Sequence, residues 1–191
     1  MSTLVVVKKN GIACIAAETL TSFGDNKQLS TYVTHSDKIY RVGESYLGMV
    51  GSAAHDLVMR SILLTTSPRL RSRLEIFEFF RQLHPRLKEE YFLVPDQEDE
   101  DPYESNHMEL CIINQYGIFG LYSLREVDEY QKFWAMGSGS EYALGAMYAI
   151  YDSLHTAEEI AQIGVQAGIE FDNASAGPIT SYCVQLVNET R

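Results

Sequence analysis

Ser2 combines two groups that could together hydrolyse an amide bond. Its hydroxyl is a nucleophile, and removal of Met1 would give the same residue a free α-amine that can act as its base. A nucleophile and a base on one residue are the minimal apparatus of an N-terminal-nucleophile hydrolase. The alternative is that serine at this position only permits efficient removal of the initiator methionine, so other residues must decide between the two.

Two apolar runs directly after Ser2 predict a buried β-hairpin. The runs cover residues 4–7 and 12–17, and Asn10-Gly11 lies between them. Asn-Gly is typical of the type I′ hairpin turn, because both of its central residues need a positive φ. We therefore expect Ser2 to be held still at the start of a core strand.

The remaining strands and helices are predicted from hydrophobic periodicity and turn residues. Strands are expected over 38–42, 46–51, 109–114, 118–123, 130–136 and 179–187. Helices are expected after Gly51, from Ser72 with a kink or split at Pro85, from Glu141, and after the capping box that begins at Thr156. The expected inward residues are Leu57, Val58, Ile62 and Leu63 in the first helix and Ile160, Ile163 and Ala167 in the fourth.

This order of elements predicts the fold class. Strand groups that alternate with helix pairs favour two sheets face to face with helices on both outer sides, a four-layer αββα sandwich of the α+β class. The 191 residues suggest a single domain over 1–191. Residues 94–108 interrupt it with six acids and two prolines, which predicts a solvated loop insertion.

Composition argues against several classes of partner and site. The 26 acidic residues exceed the 15 basic ones, which argues against nucleic acid and anionic membranes. No apolar run is long enough to span a bilayer and no basic leader is present, so we expect a cytoplasmic protein. The cysteines, Cys14, Cys111 and Cys183, lack C-x-x-C spacing, so we expect buried reduced thiols rather than disulfides or zinc ligands.

Five short blocks, in order along nearly the whole chain, resemble one family. The first residues look like the mature N-terminus of bacterial HslV-type peptidases: Ser2-Thr3-Leu4-Val5-Val6-Val7-Lys8-Lys9-Asn10-Gly11. The other four resemble blocks of proteasome β-subunits: Lys38-Ile39-x-x-Val42, Gly51-Ser52-Ala53-Ala54, Gly137-Ser138-Gly139 and Asp172-x-x-Ser175-x-Gly177. The serine start and the acidic loop look most like the betaproteobacterial proteasome homologue.

The resemblance implies a peptidase mechanism for these residues. Ser2 would replace the family's usual threonine as the nucleophile, and Lys38 would supply a positive charge beside it. Glu18 stands where the family has aspartate as the partner of that lysine, so either the backbone shifts or the pair is looser. Gly51 would provide the oxyanion-hole N–H, while Ser138, Asp172 and Ser175 would hydrogen-bond the amine and the nucleophile. Considered singly, Lys38 could be a solvated strand lysine and Glu18 a strand-end charge, while 137–139 and 172–175 could be turns.

The resemblance also implies a substrate site, a cation site and an assembly. Met49, together with Thr21 and Ser22, would bind the substrate and favour an apolar side chain. No cofactor is required, but backbone carbonyls of Gly168, Phe171 and Ala174 could hold a structural monovalent or divalent cation. Bacterial relatives form homo-oligomeric stacked double rings around a chamber, and an ATP-dependent unfoldase could dock. The alternative function is a non-catalytic ring scaffold, and a small-molecule amidase is a third hypothesis.

Overall fold

The computed structural model describes residues 2–95, 101–106 and 108–187 of the chain. Most of the acid-rich stretch of the predicted insertion, and also Met1, lie outside these ranges. The strands are β1 Leu4–Lys9, β2 Ile12–Glu18, β3 Thr21–Phe23, β4 Asn26–Gln28, β5 Ile39–Val42, β6 Ser45–Gly51, β7 Met108–Asn114, β8 Gly117–Leu121, β9 Val127–Tyr130, β10 Phe133–Met136 and β11 Ile179–Gln185. The helices are α1 Ala54–Thr66, α2 Arg73–Glu89, α3 Ser140–Ile150 and α4 Ala157–Phe171.

The chain forms the predicted four-layer αββα sandwich. One sheet has the strand order β10-β1-β2-β11, the other β5-β6-β7-β8-β9, and β3 and β4 form a small separate hairpin. The two large sheets pack face to face through residues such as Leu4, Val6 and Ile113. Helices α1 and α2 cover the outer face of the five-stranded sheet, while α3 and α4 cover the outer face of the four-stranded sheet.

The first four residues of strand β1 are apolar because both faces of the strand are buried there. Successive side chains of a strand point to opposite faces. Leu4 and Val6 therefore face the other sheet, whereas Val5 and Val7 face α3 and α4. The Asn10-Gly11 turn has the expected positive φ at both residues, 51° and 76°. Ser2 is thus attached to a strand that is packed on both sides.

Several predictions about the helices and strands are wrong. Leu57 is 77% exposed, because His55, Met59, Ile62 and Leu63 form the buried face of α1. Ile163 is exposed on α4, whose buried face carries Ile160, Ala161, Gly164 and Val165. The other predicted inward residues are buried or partly buried, namely Val58, Ile62 and Leu63 in α1 and Ile160 and Ala167 in α4, so each prediction is wrong only at one edge of the apolar face.

Two elements also differ in extent from the predictions. Helix α2 is a single helix through Pro85, so the predicted split does not occur, and the alternative prediction of a kink stays a prediction. Buried residues on both sides of the proline attach the helix to the sheet. The predicted strand over 130–136 is two strands, β9 and β10, which belong to different sheets. None of the helices in the described ranges has the length and apolar character that crossing a membrane requires.

Cys14 and Cys183 form a disulfide between β2 and β11, so the prediction of reduced thiols is wrong for this pair. The two residues lie directly opposite each other in the antiparallel register, with their Cα atoms 4.2 Å apart. Their separation of 169 residues hid this proximity in the sequence. Cys111 is a free, buried thiol, and burial raises its pKa.

The disulfide predicts how many thiols react in the purified protein. Unfolded in guanidinium without reductant, the chain should react with one equivalent of a thiol reagent, at Cys111, and with three equivalents after reduction. The Cys111→Ser variant is the control and should give no reaction before reduction. Three equivalents before reduction would contradict the disulfide.

Candidate active site

Ser2 lies two residues before β1, where glycines hold its backbone closely. The Ser2 carbonyl accepts a hydrogen bond from the N–H of Gly139 at 3.2 Å. Gly137 has a φ of +93°, and a Cβ there would overlap the Ser2 carbonyl. A Cβ on Gly139 would overlap the hydroxyl of the adjacent Thr3. The strand-to-helix turn 137–139 therefore fixes the position of Ser2 by close backbone contact.

Lys38 contacts the Ser2 hydroxyl directly. Its Nζ donates a hydrogen bond to the Oγ of Ser2 at 2.7 Å and also forms an ion pair with Glu18. This contact is the one on which the serine-nucleophile hypothesis depends, because a lysine out of reach of the hydroxyl could not influence its chemistry. Ser2 precedes β1, Glu18 ends β2, and Lys38 is the residue before β5.

The Glu18 carboxylate is fully buried and has several partners besides Lys38. It accepts backbone N–H groups from Thr3 at 3.4 Å, Leu20 at 2.6 Å and Ala176 at 3.3 Å. A buried charge is costly unless it is paired and hydrogen-bonded, and here both conditions are met. The extra methylene of glutamate therefore does not leave a loose pair.

The environment of Lys38 lowers its pKa. Burial is the largest cause, and the nearby charge and hydrogen bond of Glu18 oppose it without cancelling it. A lysine pKa lowered by burial is common at sites that use the group chemically.

A second chain of hydrogen bonds lies beside the first. Ser138 and Ser175 each donate a hydroxyl hydrogen bond to Oδ2 of Asp172, both at 2.7 Å. Since the Ser175 hydrogen is used in this way, the Thr3 hydroxyl is the donor in its 2.8 Å contact with Ser175. Burial raises the pKa of Asp172, but the hydrogen bonds from Ser138, Ser175 and the Ala174 N–H outweigh it, so its pKa is lowered overall.

A cleft of about 190 Å³ opens next to Ser2 and Lys38. The predicted substrate residues Thr21, Ser22 and Met49 all line it, as does Gly51 at the end of β6. Gly51 has a φ of +120°, which favours glycine at this position. The structure thus brings the predicted nucleophile, lysine, glycine and substrate residues to one cleft.

The fold and sequence are similar to those of known proteasome-type proteins. Thiobacillus denitrificans BPH, a bacterial proteasome homologue, is 42% identical, with 98% of this chain and 100% of that chain covered and a TM-score of 0.92. The structure described as T. denitrificans BPH in complex with epoxomicin is 41% identical, over 97% and 99% of the two chains, with a TM-score of 0.90.

The chain belongs to the bacterial proteasome homologue family. HslV from Trypanosoma brucei, 18% identical over 96% of this chain and 99% of that chain, has a TM-score of 0.64 and shares the fold. No protein-family model and no curated protein matched the chain. The betaproteobacterial proteasome homologue named from the sequence fits these relatives.

The cation site suggested for this proteasome homologue stays a prediction. Gly168 is buried in α4, and its carbonyl accepts the N–H of Asp172 at 2.8 Å. Phe171 ends α4, and Ala174 lies in the following turn. Within the described ranges, no cluster of three or more His, Cys, Asp or Glu side chains could hold a metal ion.

Sequence reasoning missed Thr3, Gly137 and Asp37 as parts of the site of this proteasome homologue. Thr3 is the one polar residue between Ser2 and the apolar run of β1, which was a usable signal. Gly137 was interpreted only as part of a matching block, although its φ and its contact with Ser2 give it a specific role. Asp37 lines the cleft, but its two partners on β11, Thr180 and Tyr182, lie 143 and 145 residues away in the sequence.

Proposed function

We propose that the protein is a self-compartmentalising peptidase in which Ser2, exposed by removal of Met1, cleaves peptide bonds. The observation that carries the proposal is the contact between the Lys38 ammonium and the Ser2 hydroxyl, with Glu18 as the lysine's buried partner. The proteasome-type fold and family membership support a peptidase.

The proposed first step forms a tetrahedral intermediate between Ser2 and the substrate, which becomes an ester when the carbon–nitrogen bond breaks. The Ser2 Oγ attacks the peptide carbonyl, and the α-amine of Ser2, directly or through a water, takes the hydroxyl proton. An unperturbed α-amine has a pKa of about 7.7 to 8.0 and suits this task near neutral pH. The Lys38 charge stabilises the developing alkoxide, and the N–H of Gly51 stabilises the oxyanion.

The proposed second step returns the enzyme to its starting state. The α-ammonium gives its proton to the leaving amine as the carbon–nitrogen bond breaks. A water then attacks the ester, and the Ser2 hydroxyl is regenerated as the carboxylic product leaves. Asp172, supported by Ser138 and Ser175, orients the α-amine between the two steps.

The substrates and assembly follow from the same fold. A proteasome-type fold implies ring oligomers and peptide substrates. We propose homo-oligomeric stacked rings with the cleft facing the chamber and with Thr21, Ser22 and Met49 binding the substrate. An apolar substrate side chain preceding the cut would contact Met49. An unfoldase partner and a cytoplasmic location stay predictions.

Intact mass with epoxomicin, the ligand of the T. denitrificans structure, tests the proposal. The wild-type chain should lack the mass of Met1 and gain one covalent adduct that peptide mapping assigns to residue 2. Ser2→Ala is the matched control, because alanine also permits methionine removal but offers no hydroxyl. A retained Met1 with no adduct and no peptide cleavage would instead support the ring scaffold.

Replacing the nucleophile by threonine should increase turnover. The β-methyl of threonine restricts χ1 and holds the hydroxyl near one rotamer, whereas serine samples three wells more evenly. We expect Ser2→Thr to cleave a fluorogenic peptide several-fold faster per active site, with active sites counted by epoxomicin labelling. A slower variant would contradict this explanation.

A further inference from the structure

Asp37 precedes Lys38, and its carboxylate joins β11 to the start of β5. Oδ1 accepts the N–H of Ile39 and the hydroxyl of Thr180, both at 2.9 Å. Oδ2 accepts the hydroxyl of Tyr182 at 2.6 Å. Thr180 and Tyr182 lie on an edge of one large sheet, and β5 forms an edge of the other. The carboxylate therefore links the edges of the two sheets immediately before the lysine.

The backbone of Asp37 is held from another side by α1. Its carbonyl accepts a hydrogen bond from Nη2 of Arg60 at 2.6 Å. Arg60 is itself held by its Nε contacts with both carboxylate oxygens of Asp56 at 2.9 Å. Hydrogen bonds thus fix both the side chain and the main chain of residue 37.

Lys38 has few other restraints on its backbone. Residues 33–38 are neither helix nor strand, and β5 begins only at Ile39. The Lys38 carbonyl accepts a hydrogen bond from the N–H of Met49 on the neighbouring strand β6. At 3.4 Å this hydrogen bond is long. The position of the lysine therefore depends strongly on the residue before it.

Strand β11, which binds the Asp37 side chain, is paired with β2, the strand that contains Glu18. Strands β2 and β11 pair over seven residues, with Ile179 opposite Glu18, and the Cys14–Cys183 disulfide joins them. Glu18, which pairs with Lys38, and the β11 residues that bind Asp37 therefore belong to one disulfide-linked pair of strands. Strand β2 of this pair also pairs with β1, the strand that follows Ser2.

We propose that Asp37 is a positioning residue that fixes Lys38 against Ser2 by binding Thr180 and Tyr182 of β11. The inference rests on the proposed peptidase function. The Tyr182 hydroxyl is a stable donor in this arrangement, because its hydrogen bond to Asp37 raises the pKa of Tyr182 to about 12. It therefore stays protonated throughout the neutral pH range in which the amine of Ser2 would act.

Steady-state kinetics of Asp37→Ala and Asp37→Asn test the proposal. Misplacing a reacting group costs on the order of 10²-fold in rate, so for Asp37→Ala we expect kcat to fall by about 10–100-fold while KM changes less than threefold. The rate of epoxomicin labelling should fall in parallel. Asp37→Asn should retain most activity, because the amide oxygen can still accept from Ile39 and Thr180.

Variants of β11 provide the matched comparison. Tyr182→Phe should lower kcat moderately, and adding it to Asp37→Ala should cause no further loss, because the two side chains share one contact. Tyr122→Phe is the control, since it also removes one tyrosine–hydroxyl contact, with Tyr130, away from the cleft. If Asp37→Ala does not fold, the double variant Thr180→Val/Tyr182→Phe replaces it and should lower kcat by about 10-fold.

The outcomes separate this inference from the proposed function. If folded Asp37→Ala, or the β11 double variant, kept the wild-type kcat, the inference about Asp37 would be overturned. The proposed peptidase function would stand, because the wild-type enzyme would still be active. A raised KM with unchanged kcat would also overturn the inference about Asp37, because that pattern indicates contact with substrate. An inactive wild-type chain that forms no adduct at Ser2 would overturn the proposed function itself.

Discussion

Lys38→Met should lower kcat/KM for peptide cleavage by about 10²–10³-fold, a typical loss when one charge-stabilising group is removed from an active site. The ammonium contacts the Ser2 hydroxyl at 2.7 Å, and methionine keeps most of the length of the side chain without its charge. The alkoxide that forms on Ser2 would then lose the charge of the lysine beside it. Cleavage of a fluorogenic peptide, normalised to folded protein by circular dichroism, measures the effect.

The same substitution should also destabilise the fold. It leaves the fully buried Glu18 carboxylate without its cation, and breaking a buried ion pair costs roughly 3–5 kcal/mol. The three N–H groups that remain on Glu18 favour the low end of that range. Adding Glu18→Gln should recover part of the stability and none of the activity, which separates the two effects in urea unfolding and kinetics.

Lys132→Met is the matched control for the loss of a lysine charge. Lys132 is largely exposed, and its nearest carboxylate, Asp152, is 4.0 Å away. Exposed pairs of this kind contribute about 0–1 kcal/mol. We expect Lys132→Met to keep wild-type activity, and an equal loss of activity in the two variants would contradict a specific role for Lys38.

The parts of the fold that local chemistry determines could be predicted from the sequence. The Asn10-Gly11 turn predicted a hairpin, and the turn is present with positive φ at both residues. The register of the hairpin places Glu18 beside Thr3, and the Glu18 N–H donates a 3.3 Å hydrogen bond to the Thr3 carbonyl. Similarly, the Thr156 capping box began α4 as predicted. These features depend on residues fewer than twenty positions apart.

The features that could not be predicted depend on packing between distant parts of the chain. Cys14 meets Cys183 only because β11 returns to the edge of the first sheet, and Asp37 meets Tyr182 for the same reason. The exposure of Leu57 follows from how α1 is rotated against the five-stranded sheet, which apolar spacing alone did not determine. The resemblance to a family supplied the site residues and the pairing of Lys38 with Glu18, but not the contacts of Asp37 with β11.

Gly137→Ala should nearly abolish activity, although the residue carries no functional group. The added methyl would overlap the Ser2 carbonyl, and alanine is strained at a φ of +93°. Strain of this kind costs about 1–3 kcal/mol, and relieving it requires the turn to move away from Ser2. Displacing the nucleophile from Lys38 should lower kcat by on the order of 10²-fold.

Gly145→Ala is the control for adding a methyl to a glycine in the same part of the chain. Gly145 lies within α3, and a Cβ there has no atom within 4 Å outside its local helix neighbours. Alanine favours a helix over glycine by about 0.5–1 kcal/mol, so this variant should be slightly more stable and fully active. If Gly137→Ala proved as active as Gly145→Ala in the same peptide assay, the turn 137–139 would not hold Ser2 in place, and the close contact would have no consequence for catalysis.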